Sequence, residues 1–186
     1  YKMPTVEEFE KISDQNSEEI KKDLEKSLKE SKKIQEDIKK IREKLLQQKE
    51  IDWQTRKEIE KLLERQKQVE KQIQQAKQNF EENLQNQKET SPPQENVQEK
   101  QEQLKNMFED VTKQEMKDLM QQIQELLQQL DKDQTLQMME QMKDEQKQSA
   151  QTMERLKELY KQLEVEKNIQ ESIEKLEELS EKQEKL

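Results

Sequence analysis

Apolar and small side chains recur at Ile20, Leu24, Ser27, Ser31, Ile34, Ile38, Ile41 and Leu45, in alternating steps of four and three residues. That spacing is the heptad seam of a helix packed against a second helix. Thr5 and Glu8 have capping-box spacing, and Pro4 stands just ahead, so the helix is predicted to begin after an extended lead-in over 1–5. Glu7/Lys11, Glu18/Lys22, Glu25/Lys29 and Glu36/Lys40 set Glu four residues before Lys, the order that favours helix. After Leu45 the seam turns polar at Gln48, Asp52 and Thr55, then resumes at Ile59, Leu62, Gln66, Val69, Ile73, Ala76 and Phe80. The interruption holds Ile51-Asp52-Trp53, with Asp52 suited to cap a new helix. A reversal near 49–52 is predicted, with Trp53 packed at the turn. Seam positions on either side then face each other, with Ser27 opposite Ala76 and Leu24 opposite Phe80.

Pro92-Pro93 is the clearest break in the chain, because proline removes backbone donors and disfavours helix in the residue before it. A linker is predicted over 89–95. Beyond it, Leu104, Met107, Phe108 and Val111 open a third helical stretch, and the five-residue step to Met116 breaks its seam. Thr112-Lys113-Gln114-Glu115 is a second capping-box match, so the helix is expected to kink or restart there. Leu130-Asp131-Lys132-Asp133 marks a turn near 131–133. The remainder reads as one long helix, with a shift of seam phase near Val165.

The pattern defines an all-α fold of elongated, antiparallel coiled-coil hairpins. The first hairpin covers 6–88 and the second 96–186. A spectrin-like three-helix bundle and a continuous parallel coiled coil are the alternatives.

Composition narrows the chemistry. The 186 residues are 42% charged and 27% hydrophobic, too few apolar side chains for a broad globular core. With no Gly, no Cys and no His, a phosphate loop, a thiol nucleophile, a Ser-His relay and the usual zinc ligands are excluded. An enzyme is not expected, and neither is a cofactor or a metal site. Asp131-Lys132-Asp133 resembles the opening of a calcium loop, but the required Gly and acid are Leu136 and Met142, so helix capping is the better reading. Residues 1–90 carry 21 basic and 21 acidic groups and residues 91–186 carry 14 and 23, so the whole net charge of −9 lies in the second part. Without a basic stripe, nucleic acid is not an expected partner. With no long apolar run, this segment is expected to be soluble and to make no membrane contact itself. The partner is expected to be another protein or the remainder of a longer parent chain, since the chain reads as a piece of a larger polypeptide. The pattern leaves oligomeric state open.

Partner contacts are expected at the tips, Ile51 to Trp53 and Asp131 to Asp133, or on a Met-rich face. Seven of the eight Met residues fall between Met107 and Met153. Met adapts to varied surfaces, so Met107, Met116, Met120, Met138, Met139 and Met142 are candidates, with core filling as the plainer explanation.

Several stretches occur in a familiar order: Met3-Pro4-Thr5-Val6-Glu7-Glu8, Ile51-Asp52-Trp53, Glu99-Lys100-Gln101-Glu102-Gln103-Leu104, Glu115-Met116-Lys117-Asp118-Leu119-Met120 and Gln162-Leu163-Glu164-Val165-Glu166-Lys167. Together they resemble the helical segment of large, membrane-anchored envelope proteins of Bacteroidetes, a family with a domain-of-unknown-function label. The resemblance implies a segment of an envelope protein on the periplasmic face of the inner membrane. It implies no activity, cofactor or site residue. The function expected is therefore a non-catalytic spacer or protein-interaction arm within a larger cell-envelope protein. The alternative is a holdase-type chaperone arm that grips clients with its Met-rich face.

Overall fold

A computed structural model describes residues 3–90 and 93–186; Tyr1 and Lys2 of the lead-in, and Ser91 and Pro92 of the linker, lie outside them. The described residues form five helices and no strand: α1 (Val6–Gln47), α2 (Trp53–Thr90), α3 (Glu95–Val111), α4 (Gln114–Gln129) and α5 (Lys132–Glu184). The fold is all-α.

Both reversals sit where the seam breaks. At the first, Asp52 Oδ1 accepts from the Thr55 amide at 2.7 Å and Gln48 Nε2 donates to Asp52 Oδ2 at 3.0 Å. These bonds hold the Asp52 carboxyl below its ordinary pKa, with the Thr55 bonds the main cause. At the second, Leu130 turns the chain in the left-handed conformation (φ 55°) and Asp131 caps α5 by accepting from the Gln134 amide at 3.0 Å. The two turns lie at one end of the molecule, where Lys132 Nζ donates to the Gln48 carbonyl. The capping box at Thr5 and Glu8 forms with both bonds present.

The helix restarts after Val111 as the broken seam requires, but not through a capping box. Thr112 Oγ1 donates backward to the Phe108 carbonyl at 2.7 Å, so Thr112 closes α3 and Lys113 precedes α4 without a side-chain cap. The linker is also shorter than predicted: α2 runs to Thr90 and α3 resumes at Glu95.

With α3 and α4 stacked end to end, the helices make four antiparallel rows, which excludes the three-helix and continuous parallel arrangements. α1 packs on α2 and on α5, while α3 and α4 pack along α5. The two hairpins are thus one bundle. Every seam residue foreseen on α1 is buried, as are those on α2 from Ile59 to Phe80. Each such Ile or Leu contributes about 1.5–3 kcal/mol. The second face of α1, turned to α5, is more polar: Lys21 pairs with Glu164 (3.0 Å), Arg42 with Glu140 (3.2 Å), and Gln35 donates to the Gln146 carbonyl (3.3 Å). Midway along the core, Gln146 Nε2 donates to Gln66 Oε1, with both residues buried.

At the end away from the turns, aromatic and polar layers follow each other. Phe80 packs on Phe108 (ring centroids 5.3 Å apart) and edge-on to Tyr160 (6.4 Å). The Tyr160 hydroxyl donates to Ser17 Oγ at 2.9 Å, and burial pushes its pKa up to about 12. Asn83 links to Asn16 (3.1 Å) and to the Ser13 carbonyl (3.3 Å), tying the last turns of α2 to the start of α1.

Candidate functional surfaces

The residues singled out in the sequence divide into core and surface. Met116, Met120, Met139 and Met142 are buried in the main apolar cluster, with Met138 packed against it and Met107 against the second cluster. Ile51 is also core. Trp53 is the reverse: expected to pack at the turn, it stands 74% exposed as the first residue of α2, with Lys57 Nζ 5.7 Å from its ring centre. The helix Asp52 caps begins by pointing Trp53 outward, while its neighbour Ile51 fills the space inside. Asp131 is occupied in capping, which is the reading preferred over a calcium loop. Among the described residues, no group of three or more acidic side chains is placed to hold a metal ion.

Two surfaces that sequence reasoning did not single out stand out in the fold. The first is a groove where α2 passes α3 and α4, the loosest edge of the four rows. It has a volume of about 850 Å3, with Leu63, Met120 and Val111 supplying its apolar lining. Along α2, its wall changes from Glu60 and Glu64 to Lys67 and Lys71; Lys117 stands on the α4 side. Glu70 lines the groove between them, and desolvation pushes its carboxyl pKa up to about 7 against the opposing pull of Lys117. The sequence signal for the groove was the five-residue step from Val111 to Met116, which divides the helical row opposite α2.

The second is the distal part of α5. Its last buried residue is Leu163, yet the helix continues to Glu184, 21 residues and about 32 Å further. Val165, Ile169, Ile173, Leu176 and Leu179 keep a helical stripe along it, and each is 50–65% exposed. From Glu171 onward every side chain is exposed. The phase shift foreseen near Val165 falls where the apolar seam of α5 stops serving the core and a stripe on another face begins, while Lys167, Gln170 and Glu174 still line a cleft with Val6 and Phe9 of α1. Among the described residues, no helix is long and apolar enough to cross a membrane. No protein-family model, curated protein or solved structure matches the chain.

Proposed function

We propose that this chain is a non-catalytic spacer and protein-interaction arm, working as part of a larger cell-envelope protein. The observation that carries the interaction reading is the distal stripe of α5. A helix in water gains nothing from five large apolar residues aligned on one face unless something covers them, and patches of this kind mark contact sites. The bundle supplies a base for the stripe, because α1 packs on both α2 and α5 and its first turns run beside α5 as far as Glu174. Placement in the envelope, on the periplasmic side of the inner membrane, is supported by the ordered resemblance of five sequence stretches. The holdase alternative gains no support, since the Met side chains it would use are largely enclosed in the core.

The test is site-specific photo-crosslinking in the intact protein within its own cells. A photoreactive residue at Ile173 or Leu176 should give a discrete crosslinked protein, while one at Glu174 or Glu178, off the stripe, should not. Crosslinks of equal yield from both faces, or none from the stripe, would refute the interaction reading.

A further inference from the structure

The exposed stripe of α5 is a heptad seam with two unlike edges, a pattern that is complementary to itself. We infer that the distal α5 of two copies pairs in parallel and in register, so that the chain is a dimer clasped through this stripe. This deepens the arm reading by naming a partner, a second copy of this chain, and rests on the same stripe.

Val165, Ile169, Ser172, Leu176, Leu179 and Gln183 follow one another in steps of 4, 3, 4, 3 and 4. That is an a/d seam of nearly three heptads, about 27 Å of helix. It lies across the helix from the core seam that ends at Leu163, and so away from the cleft with α1. Val165, Ile169, Leu176 and Leu179 are each 55–65% exposed, and Ile173 stands beside them at 50%. Upstream, the same face carries Glu154, Glu158, Lys161 and Gln162, all exposed, so the seam begins at Val165.

Charge fixes the direction. Around the helix, Lys175 and Lys182 stand about 80–100° to one side of the seam centre. Ser180 stands about 60° to the other side, with Glu184 and Glu177 behind it at about 100–120°. Ser180 is short enough to leave those carboxylates open to a long side chain from across the seam. In a parallel pair each edge of one helix meets the opposite edge of the other, so the lysine edge meets the serine and glutamate edge twice. Glu171 and Glu178 stand behind the lysines, and Glu174 and Glu181 at the back. No carboxylate therefore comes between the lysines and the edge they face.

Antiparallel pairing is the rival, and it fails in two ways. With the seams fully overlapped it sets Gln183 against Val165 and Ser172 against Leu176, and lysine edge meets lysine edge. Sliding by one heptad matches Gln183 to Ser172, but it leaves Val165 uncovered and brings Lys175 beside Lys182 twice. Parallel and in register, every apolar layer meets its like, and Ser172 and Gln183 meet their own counterparts. A polar residue at a single a position is a device that fixes register, and Gln183 holds that position.

The 186-residue chain has no Cys, so a single introduced thiol reports which positions meet. In a glutathione redox buffer, Gln183→Cys should give a disulfide-linked dimer in at least tenfold higher yield than Glu181→Cys, which lies on the back of the helix. In an antiparallel pair the two positions 183 are about 16–27 Å apart. An equimolar mixture of Val165→Cys and Gln183→Cys would then form a mixed disulfide instead, and that result overturns the proposal. Sedimentation equilibrium should show the unaltered chain dimerising, and Leu176→Glu/Leu179→Glu associating at least tenfold more weakly with amide exchange in α1 and α2 unchanged. A chain that is monomeric at all concentrations, or a glutamate variant that dimerises as before, also overturns it. The arm reading is decided separately: a cellular crosslink from Leu176 to a different protein keeps that reading and removes self-pairing.

Discussion

The Gln66–Gln146 pair sets a polar layer inside an otherwise apolar bundle, and its energetics can be isolated. Both residues are buried, Gln146 completely so, and Gln146 Nε2 donates to Gln66 Oε1. Gln146 Oε1 finds no partner among the described residues, and neither does the buried Ser31 Oγ. The layer is therefore only partly satisfied, and an acceptor left unpaired in such a place costs about 1–3 kcal/mol. Changing Gln146→Leu removes that acceptor but strands the Gln66 amide, so gain and loss nearly cancel. The change Gln66→Leu strands Gln146 entirely and should destabilise by about 1–3 kcal/mol. The double variant removes both amides and should be more stable than the unaltered protein, with a coupling energy of about 1–2 kcal/mol in the cycle. Urea unfolding monitored by circular dichroism gives all four stabilities. Additive single effects, with a coupling below about 0.5 kcal/mol, would show that the two side chains do not depend on each other. The stabilised double variant should also lose some of its preference for a single register, because polar core residues are the means by which helix bundles penalise slipped alignments.

Four further outcomes are expected. Leu130→Gly should stabilise the fold by about 0.5–1 kcal/mol in thermal unfolding, because Leu130 pays for a left-handed backbone while more than half exposed. Phe108→Ala should cost about 3–5 kcal/mol by urea unfolding, since it empties a fully buried site stacked on Phe80. The raised Glu70 pKa means the folded state binds its proton more tightly than the unfolded state. Its contribution is full below the ordinary carboxyl pKa of 4.5 and is lost as pH rises through about 7; Glu70→Gln should flatten the fall in melting temperature between pH 5 and pH 8. Thr5→Ala should loosen only the first turn of α1, seen as faster amide exchange at residues 6–9 with little change in global melting.

The hairpin of α1 and α2 was legible because its signal is local and strong. One apolar stripe, a polar interruption and a capping Asp specify two helices and the turn between them. The packing of that hairpin on α5 was not legible, for a physical reason. The face of α1 that meets α5 is carried by Ser17, Lys21, Gln35 and Arg42, whose polar ends reach across to Tyr160, Glu164, the Gln146 carbonyl and Glu140. Such positions look like solvated surface in a sequence, since lysine and arginine cover apolar neighbours with their stems while the charge finds a partner. Trp53 shows the converse. Its size suggested burial, but the turn places Ile51 inward, and a residue at the first position of a helix follows the direction of the cap. The Met cluster was ambiguous in sequence because core and contact surface both favour Met; the row position of each residue decides it. The groove and the exposed stripe depend on which rows pass close to each other, and no single stretch of sequence carries that information.

The central place of α1 has a consequence for how the chain is made. Its partner on one side, α2, follows after five residues, whereas contacts on the other side join residues 111 and 143 positions apart, as for Gln35 with Gln146 and Ser17 with Tyr160. At a synthesis rate of roughly 5–20 residues per second, α5 starts to leave the ribosome about 4–17 s after α1 is complete. A helical hairpin needs only microseconds to milliseconds to form. Counted from the end of α2 at Thr90, the first hairpin therefore waits, folded on one side and bare on the other, about 2–8 s before α5 begins to emerge. That interval is when the nascent chain is most open to wrong pairing, and a pause in translation between residues 91 and 131 would lengthen it.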